Sequence, residues 1–586
     1  METGRSAVRS KRASRIAACT ALVLSAGMLL AAPASADDSA PAPRGATAHS
    51  TPELGGQPTL SLPERAAKKK SGASGAAGKQ SPSSAVPAKP RSDLNNDGFS
   101  DMLYRGLDGN LWAAFDSSGS QRFDIDNGDS AEMFKDVITP GDLDGDGLSD
   151  LVTLSASGTL TVYPGWTSAS TRTASWSGVG WQRYNKVSAP GDLDGDGRGD
   201  LIARTPSGDI YVYISTGSTS SAPFKAGVKV GYGWNIYDQI VGANDVNGDG
   251  LGDVIARTPA GDVYFYAGTG DASKPFKARV KVGYGWDIYN QLISFDDLDG
   301  DGLGDIVTRK PGGALYTYLS NGDGTFAARV EGGTGWNAAA LFAGAGGNPA
   351  FGKQELEART KGGSLYWYQS RNNEKFFPRY LDSSDTGWNE VSLSLASSLD
   401  NDGWGDLLQV YKGTLWVGAE QIGTGWQVYN SLTGPGDLTG DGKGDLLARD
   451  TKGNLYLYKG NGLGTKFAAK VKVGYGYNTY NKIVGAGDLS GDGIADVVAR
   501  DTKGDLYLYK GTGNAAKPLS ARVKIGYGYN TYKQFAAPGD LDGDGFADLV
   551  GVDGKGDVYR YSSTGTGKIE KRAKIGYGWD IYNGLY

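Results

Sequence analysis

Apolar and polar residues alternate in short bursts along most of the chain, and the bursts recur. The segments "DLLAR" (445–449), "NLYLYKG" (454–460), "FAAKVKVG" (467–474) and "YNKIVGAG" (480–487) are short, rich in β-branched or aromatic residues, and separated by Gly-rich breaks. Such alternation marks half-buried strands, and nothing after residue 93 keeps the 3.6-residue apolar period of an amphipathic helix. The pattern predicts four strands per unit. "ARDTKGNLYLYKGNG" (448–462) and "ARDTKGDLYLYKGTG" (499–513) are nearly identical, which points to duplication of that unit.

An acidic loop punctuates the units. It begins at residues 93, 142, 192, 245, 297, 398, 437, 488 and 540, mostly 49–53 residues apart, with one interval of 39. A tenth, worn copy lies near 347, where "ELEARTKGGSLYWY" (355–368) parallels "DVIARTPAGDVYFY" (253–266). Four strands in about fifty residues is the size of one β-propeller blade. The expected fold is all-β, a propeller of ten four-stranded repeats. The chain ends in "GYGWDIYNGLY" (576–586), the segment that precedes each loop elsewhere, and the first loop lacks it. The last strand is therefore expected to complete the sheet begun by the first repeat, hiding open edges. Loss of the loop near 347 favours two five-bladed rings, 93–345 and 346–586, over one large ring.

The loop "GDLDGDGLSDLV" (141–152) shows the chemistry. Alternate positions 1, 3 and 5 put oxygen donors inside a tight turn, a backbone carbonyl at position 7 can join them, and an Asp at position 9 closes the cage. The expected ligands are Asp93, Asn95, Asp97 and Asp101, then Asp142, Asp144, Asp146 and Asp150. The next loops offer Asp192, Asp194, Asp196 and Asp200, then Asp245, Asn247, Asp249 and Asp253, then Asp297, Asp299, Asp301 and Asp305. After the worn copy come Ser398, Asp400, Asp402 and Asp406, followed by Asp437, Thr439, Asp441 and Asp445. The last two loops offer Asp488, Ser490, Asp492 and Asp496, and Asp540, Asp542, Asp544 and Asp548.

Oxygen-only donors in a flexible cage suit Ca2+ better than zinc or magnesium, giving up to nine sites. An EF-hand needs glutamate at position 12, where Thr153 stands at the start of a strand. Loops 398, 437 and 488, with a hydroxyl among the donors, are expected to bind most weakly. These cages hold close to half of the 65 acidic residues, so the net charge of −6 reflects them more than a general acidic surface.

Residues 1–15 are basic, "IAACTALVLSAGMLLAA" (16–32) is apolar, and "APASA" (32–36) supplies small residues. This is the layout of a secretory signal peptide cleaved after Ala36. Residues 37–92, rich in Ala, Ser, Pro and Lys, are expected to form a disordered tether. The single Cys19 and single His49 fall in these segments. The repeats therefore lack thiols and imidazoles, which excludes disulfides, Cys/His zinc sites and Ser-His-Asp triads there. No later run is apolar enough to span a bilayer.

The D-x-D-x-D-G-x-x-D loop followed by an apolar strand resembles the FG-GAP/VCBS repeats of integrin-like propellers and bacterial exported proteins. That resemblance covers residues 93–586 and implies a calcium-binding propeller. A second motif, "GYGWNIY" (231–237), "GYGWDIY" (283–289 and 576–582) and "GYGYNTY" (474–480 and 526–532), recurs before the loops. With "ARVKVG" upstream and "G-x-LY-x-Y" downstream it is similar to the repeat of tachylectin-type five-bladed lectins. That similarity implies binding of N-acetylated amino sugars between blades.

The candidate ligand-binding residues are Tyr232, Trp234, Tyr284, Trp286, Tyr475, Tyr477, Tyr527, Tyr529, Tyr577 and Trp579. On an extended chain Tyr232 and Trp234 would share a face, with Tyr237 opposite. One set would pack blade against blade while the other faces a groove. The sequence thus points to a secreted, non-catalytic, calcium-binding protein of cell-surface or cell-wall glycans. The alternatives are an extracellular protein adhesion scaffold or, with no carboxylate pair outside the cages to support it, a polysaccharide lyase or hydrolase. An acidic repeat region without a basic aromatic stripe argues against nucleic acid.

Overall fold

The computed structural model describes residues 58–63, 90–115, 119–126, 132–165, 172–348 and 351–586. The expected signal peptide and most of the expected tether lie outside them. Described residues 93–586 form ten four-stranded antiparallel sheets. No α-helix occurs among the described residues, and no helix is long and apolar enough to cross a membrane.

The fourth sheet shows the plan. Strand a (Gln239–Asn244) leads through the acidic loop into b (Asp253–Arg257), a turn into c (Val263–Tyr266), and a longer turn into d (Val280–Gly283). Strand b pairs Val254 with Tyr266 and Ile255 with Phe265. Strands a and b are buried throughout, whereas d faces solvent. That gradient explains the sequence. A strand covered on both faces reads as a continuous apolar run, "DVIAR", while the outer edge carries Lys281, a charge that discourages pairing with a second chain.

Two sheets are completed by distant strands. Ala339–Phe342 pairs with Met102–Gly106 in the first sheet, and Tyr582–Leu585 pairs with Glu355–Thr360 in the sixth. The expectation that the C-terminal strand completes the first repeat is thus corrected. Ala339–Phe342 already occupies that edge, and Leu585 lies opposite Ala358.

Ten hydrophobic clusters join the sheets in pairs. One unites sheets three and four through Val212, Ile202, Trp234 and Ile240. Another joins the fifth sheet to the first through Val307, Leu315, Tyr104 and Phe342. A third joins the tenth to the sixth through Val550, Leu541, Leu356 and Leu585.

The two groups of five sheets also touch. Asn185 and Asn290 of the first donate to the carbonyl oxygens of Asp492 and Asp542, at 2.7 and 2.5 Å, and Arg309 Nη2 donates to Gly543 O at 2.6 Å.

Part of the expected tether is ordered. Thr59–Leu60 adds a fifth strand to the fifth sheet, antiparallel to Val330–Thr334, and Trp336 Nε1 donates to Thr59 O at 2.8 Å. The alternation in "TLSL" (59–62) sends Leu60 and Leu62 onto the core. Arg91 is buried too, with its backbone N–H and Nε on the Asp296 carboxylate at 2.5 and 2.6 Å.

Leu585 is 1% exposed in the last strand. Leu585→Ala is expected to lower stability by about 2–5 kcal/mol, the usual cost of emptying a leucine site. Urea unfolding followed by tryptophan fluorescence measures it.

Candidate metal centres and aromatic seams

Each acidic loop wraps its backbone N–H groups around its own carboxylates. In the second loop Asp142 accepts from Gly145 N and Gly147 N at 2.6 and 2.9 Å, and Asp146 accepts from Leu148 N at 2.8 Å. Gly147 sits at φ +93°, a conformation that turns its N–H inward and that a side chain would strain. Asp150 does different work. Its Oδ2 accepts from Leu143 N at 2.7 Å and its Oδ1 from Gly165 N at 2.6 Å, tying the loop to the end of strand c. Asp200 repeats this on Leu193 and Ser215, and Asp253 on Val246 and Gly268.

In four loops the structure brings three aspartates of the expected ligand set together. Carboxylate oxygens of Asp142, Asp144 and Asp146 lie within 4.8 Å of one another, as do those of Asp192, Asp194 and Asp200. The same holds for Asp297, Asp299 and Asp305, and for Asp540, Asp542 and Asp544. These are the four loops with aspartate at all four positions.

Elsewhere the substitutions relieve crowding. Asn247 Nδ2 donates to Asp249 at 3.1 Å, and Asn95 Nδ2 to Asp97 at 3.2 Å. Ser398 Oγ donates to Asp400 at 3.3 Å and offers one oxygen where aspartate offers two.

These sites fit an oxygen-seeking cation. Burial, reinforced by neighbouring aspartates and opposed by the N–H donors, pushes Asp101, Asp253 and Asp305 up to about 8. Burial likewise pushes Asp150 and Asp200 up to about 7. Oδ1 of Asp101 and Oδ1 of Asp194 are buried without a hydrogen-bond partner among the described residues. Crowded carboxylates with unused lone pairs are what a cation satisfies. In the 540 loop Arg560 Nη1 and Ser562 Oγ both donate to Asp542 Oδ2 at 2.8 Å, as Arg198 Nη2 donates to Asp196 in the 192 loop and Lys459 Nζ lies 2.9 Å from Asp441 in the 437 loop. A basic side chain in each of these loops supplies positive charge from within the chain.

The aromatic motif splits in two. Tyr232, Tyr284, Tyr475, Tyr527 and Tyr577 are 81–83% exposed. Trp234, Trp286 and Tyr529 are buried between sheets, and Tyr477 and Trp579 are half-buried. Tyr232 and Trp234 therefore do not share a face. Gly233, at φ +78°, starts the 3-10 turn Trp234–Ile236 and swings the indole inward. That indole stacks on Tyr266 with centroids 4.6 Å apart, and the Tyr237 and Tyr266 hydroxyls hydrogen-bond at 2.7 Å.

A basic residue completes six of the seams. Arg279 donates to the Tyr237 hydroxyl and lies over the Tyr264 ring, 4.4 Å from its centroid. Arg329 does the same at Tyr289 and Tyr316, Arg522 at Tyr480 and Tyr507, and Lys470 at Tyr429 and Tyr456. Arg379 and Arg572 follow suit at Tyr582 and Tyr532. Sequence reasoning missed these residues, although the Arg of "ARVKVG" was the signal.

The FG-GAP-like repeat model matches residues 245–308, 437–499 and 488–551. The matched stretches are FG-GAP-like repeats. Each begins at the first ligand position of an acidic loop, so the family signature and the carboxylate nests coincide. No curated protein matches the chain. Among solved structures, an Agrocybe aegerita lectin that recognises non-reducing terminal N-acetylglucosamine is 17% identical over 82% of this chain and 91% of its own, with a TM-score of 0.21. A complex of BBS1N with ARL6DN, soaked with lead, is 11% identical over 63% of this chain and 89% of that one, also with a TM-score of 0.21.

Asp200→Ala leaves the N–H groups of Leu193 and Ser215 without their acceptor. The expected loss is about 1–3 kcal/mol per orphaned donor. Urea unfolding in chelator, where no ion contributes, isolates it.

Proposed function

We propose that the chain is a secreted, calcium-stabilised protein of two five-bladed rings that binds extracellular glycans without chemical turnover. The rings run over 93–345 and 346–586. Supporting this division, Ala339–Phe342 and Tyr582–Leu585 each return to the first sheet of their own five, and the clusters at those sheets join fifth to first and tenth to sixth. In the FG-GAP-like loops the carboxylates would hold Ca2+, whose charge would offset their mutual repulsion and fix each turn between strands a and b. At ~1 mM free calcium, a site with Kd ~0.1 mM adds about 1.4 kcal/mol to stability.

The glycan reading rests on one observation, the repeated seam. An exposed cation, a tyrosine hydroxyl and tyrosine ring faces recur between sheets, as at Arg279, Tyr237 and Tyr264. A pyranose takes hydrogen bonds from such a rim and stacks its C–H face on an aromatic ring. Many weak copies gain on a polymer by avidity. A protein adhesion role is the second reading, favoured by the exposure of Tyr232, Tyr284, Val228 and Val280.

Calcium is expected to raise the melting temperature and EDTA to lower it. Indifference to both removes the metal from the account. On a glycan array, binding in calcium without product formation, weakened at least tenfold by Arg279→Ala combined with Arg522→Ala, supports the seam. A blank array with capture of an exported protein supports adhesion instead.

A further inference from the structure

The inner strands of the second five sheets surround a cavity of about 220 Å³. Lys353, Lys482 and Arg449 line it together with Asn430, Asn481 and Thr433, and no Asp or Glu is among the lining residues. It opens to solvent at Asn430 and Asn481, which are exposed. Lys353 Nζ donates to a single carbonyl, Leu395 O, at 3.2 Å. Its acidic neighbour Glu355 is bonded to Gly405 N and Trp367 Nε1. Lys482 forms no hydrogen bond or ion pair among the described residues. Glu355 offsets part of the Lys353 charge, whereas the Lys482 ammonium faces this partly enclosed space with no counter-ion, which is costly.

The first five sheets show how the same arrangement looks when satisfied. There Lys186, at the place in strand a that Lys482 occupies, donates to the carbonyls of Ala345 and Gly347 and lies 4.0 Å from Asp136. Arg204 and Arg309 direct Nη2 to Asn348 Oδ1 and Gly543 O, at 3.3 and 2.6 Å. Arg449 and Arg500 copy the rest of that network, with Nε on Asn430 and Asn481 at 2.9 Å and Nη1 on two tyrosine carbonyls. Their Nη2 groups have no such oxygen among the described residues. In the first group the chain supplies its own acceptors; in the second it does not.

We propose that this cavity binds an organic carboxylate of monosaccharide size, its carboxylate between Lys482, Lys353 and Arg449. Leu393, Leu432 and Ile483 in the wall suit a ring with an apolar face and suit a bare inorganic anion less well. Burial holds both lysines down at about 8, so a bound carboxylate restores the charge that enclosure discourages. The site is independent of the seams, and failure of glycan binding at Arg279 leaves it untouched.

Titration calorimetry of the full chain with glucuronate, glucose and inorganic phosphate tests the proposal. Glucuronate is expected to bind saturably and glucose not at all, with affinity falling at least tenfold in Lys482→Met, a change that breaks no bond of the folded chain. A matching melting temperature confirms that this variant is folded. Phosphate binding as tightly as glucuronate, unchanged affinity in Lys482→Met, or absence of saturable glucuronate binding would each overturn it.

Discussion

A buried carboxylate with two backbone donors underlies everything else in this molecule. At the ninth position Asp150, Asp200, Asp253, Asp305, Asp445, Asp496 and Asp548 accept an N–H from the start of the loop and one from the far end of strand c. One side chain thereby fixes the turn from a to b and the distance to c. A carboxylate accepts such bonds far better than a neutral group does, and in a low-dielectric interior they also define a single geometry. The same oxygens crowd against the other aspartates. The residue that shapes the blade thus creates the electrostatic demand for a cation.

Much of this was legible in the sequence. "DVIAR" and "VYFY" announce strands because β-branched and aromatic residues alternate between Gly-rich turns, and the folded sheet sets Val254 opposite Tyr266 as that alternation requires. The loops were legible because aspartate at every second position has few other uses. In the four-aspartate loops three of those carboxylates lie within 4.8 Å of one another.

What stayed hidden depended on partners far along the chain or on local backbone. Nothing near Tyr582 says that its strand pairs with Thr360 rather than with the first repeat, since either edge accepts the same pattern. The face of Trp234 was misjudged because a glycine at positive φ resets the side-chain alternation that an extended strand would keep. Arg279 looked like one more surface charge until folding set it over Tyr264. "TLSL" was masked by its low-complexity surroundings, and only the open edge at Val330–Thr334 gives it a role. Local patterns name elements; tertiary contacts assign them their work.

The contact between the two groups of sheets carries one more implication. Asn185 and Asn290 grip carbonyls inside the loops that contain Asp492 and Asp542. Any distortion of those turns is felt across the junction, where Arg309 is buried against Gly543. Opening either loop breaks a bond to the other group of sheets, so its cost is shared across the junction.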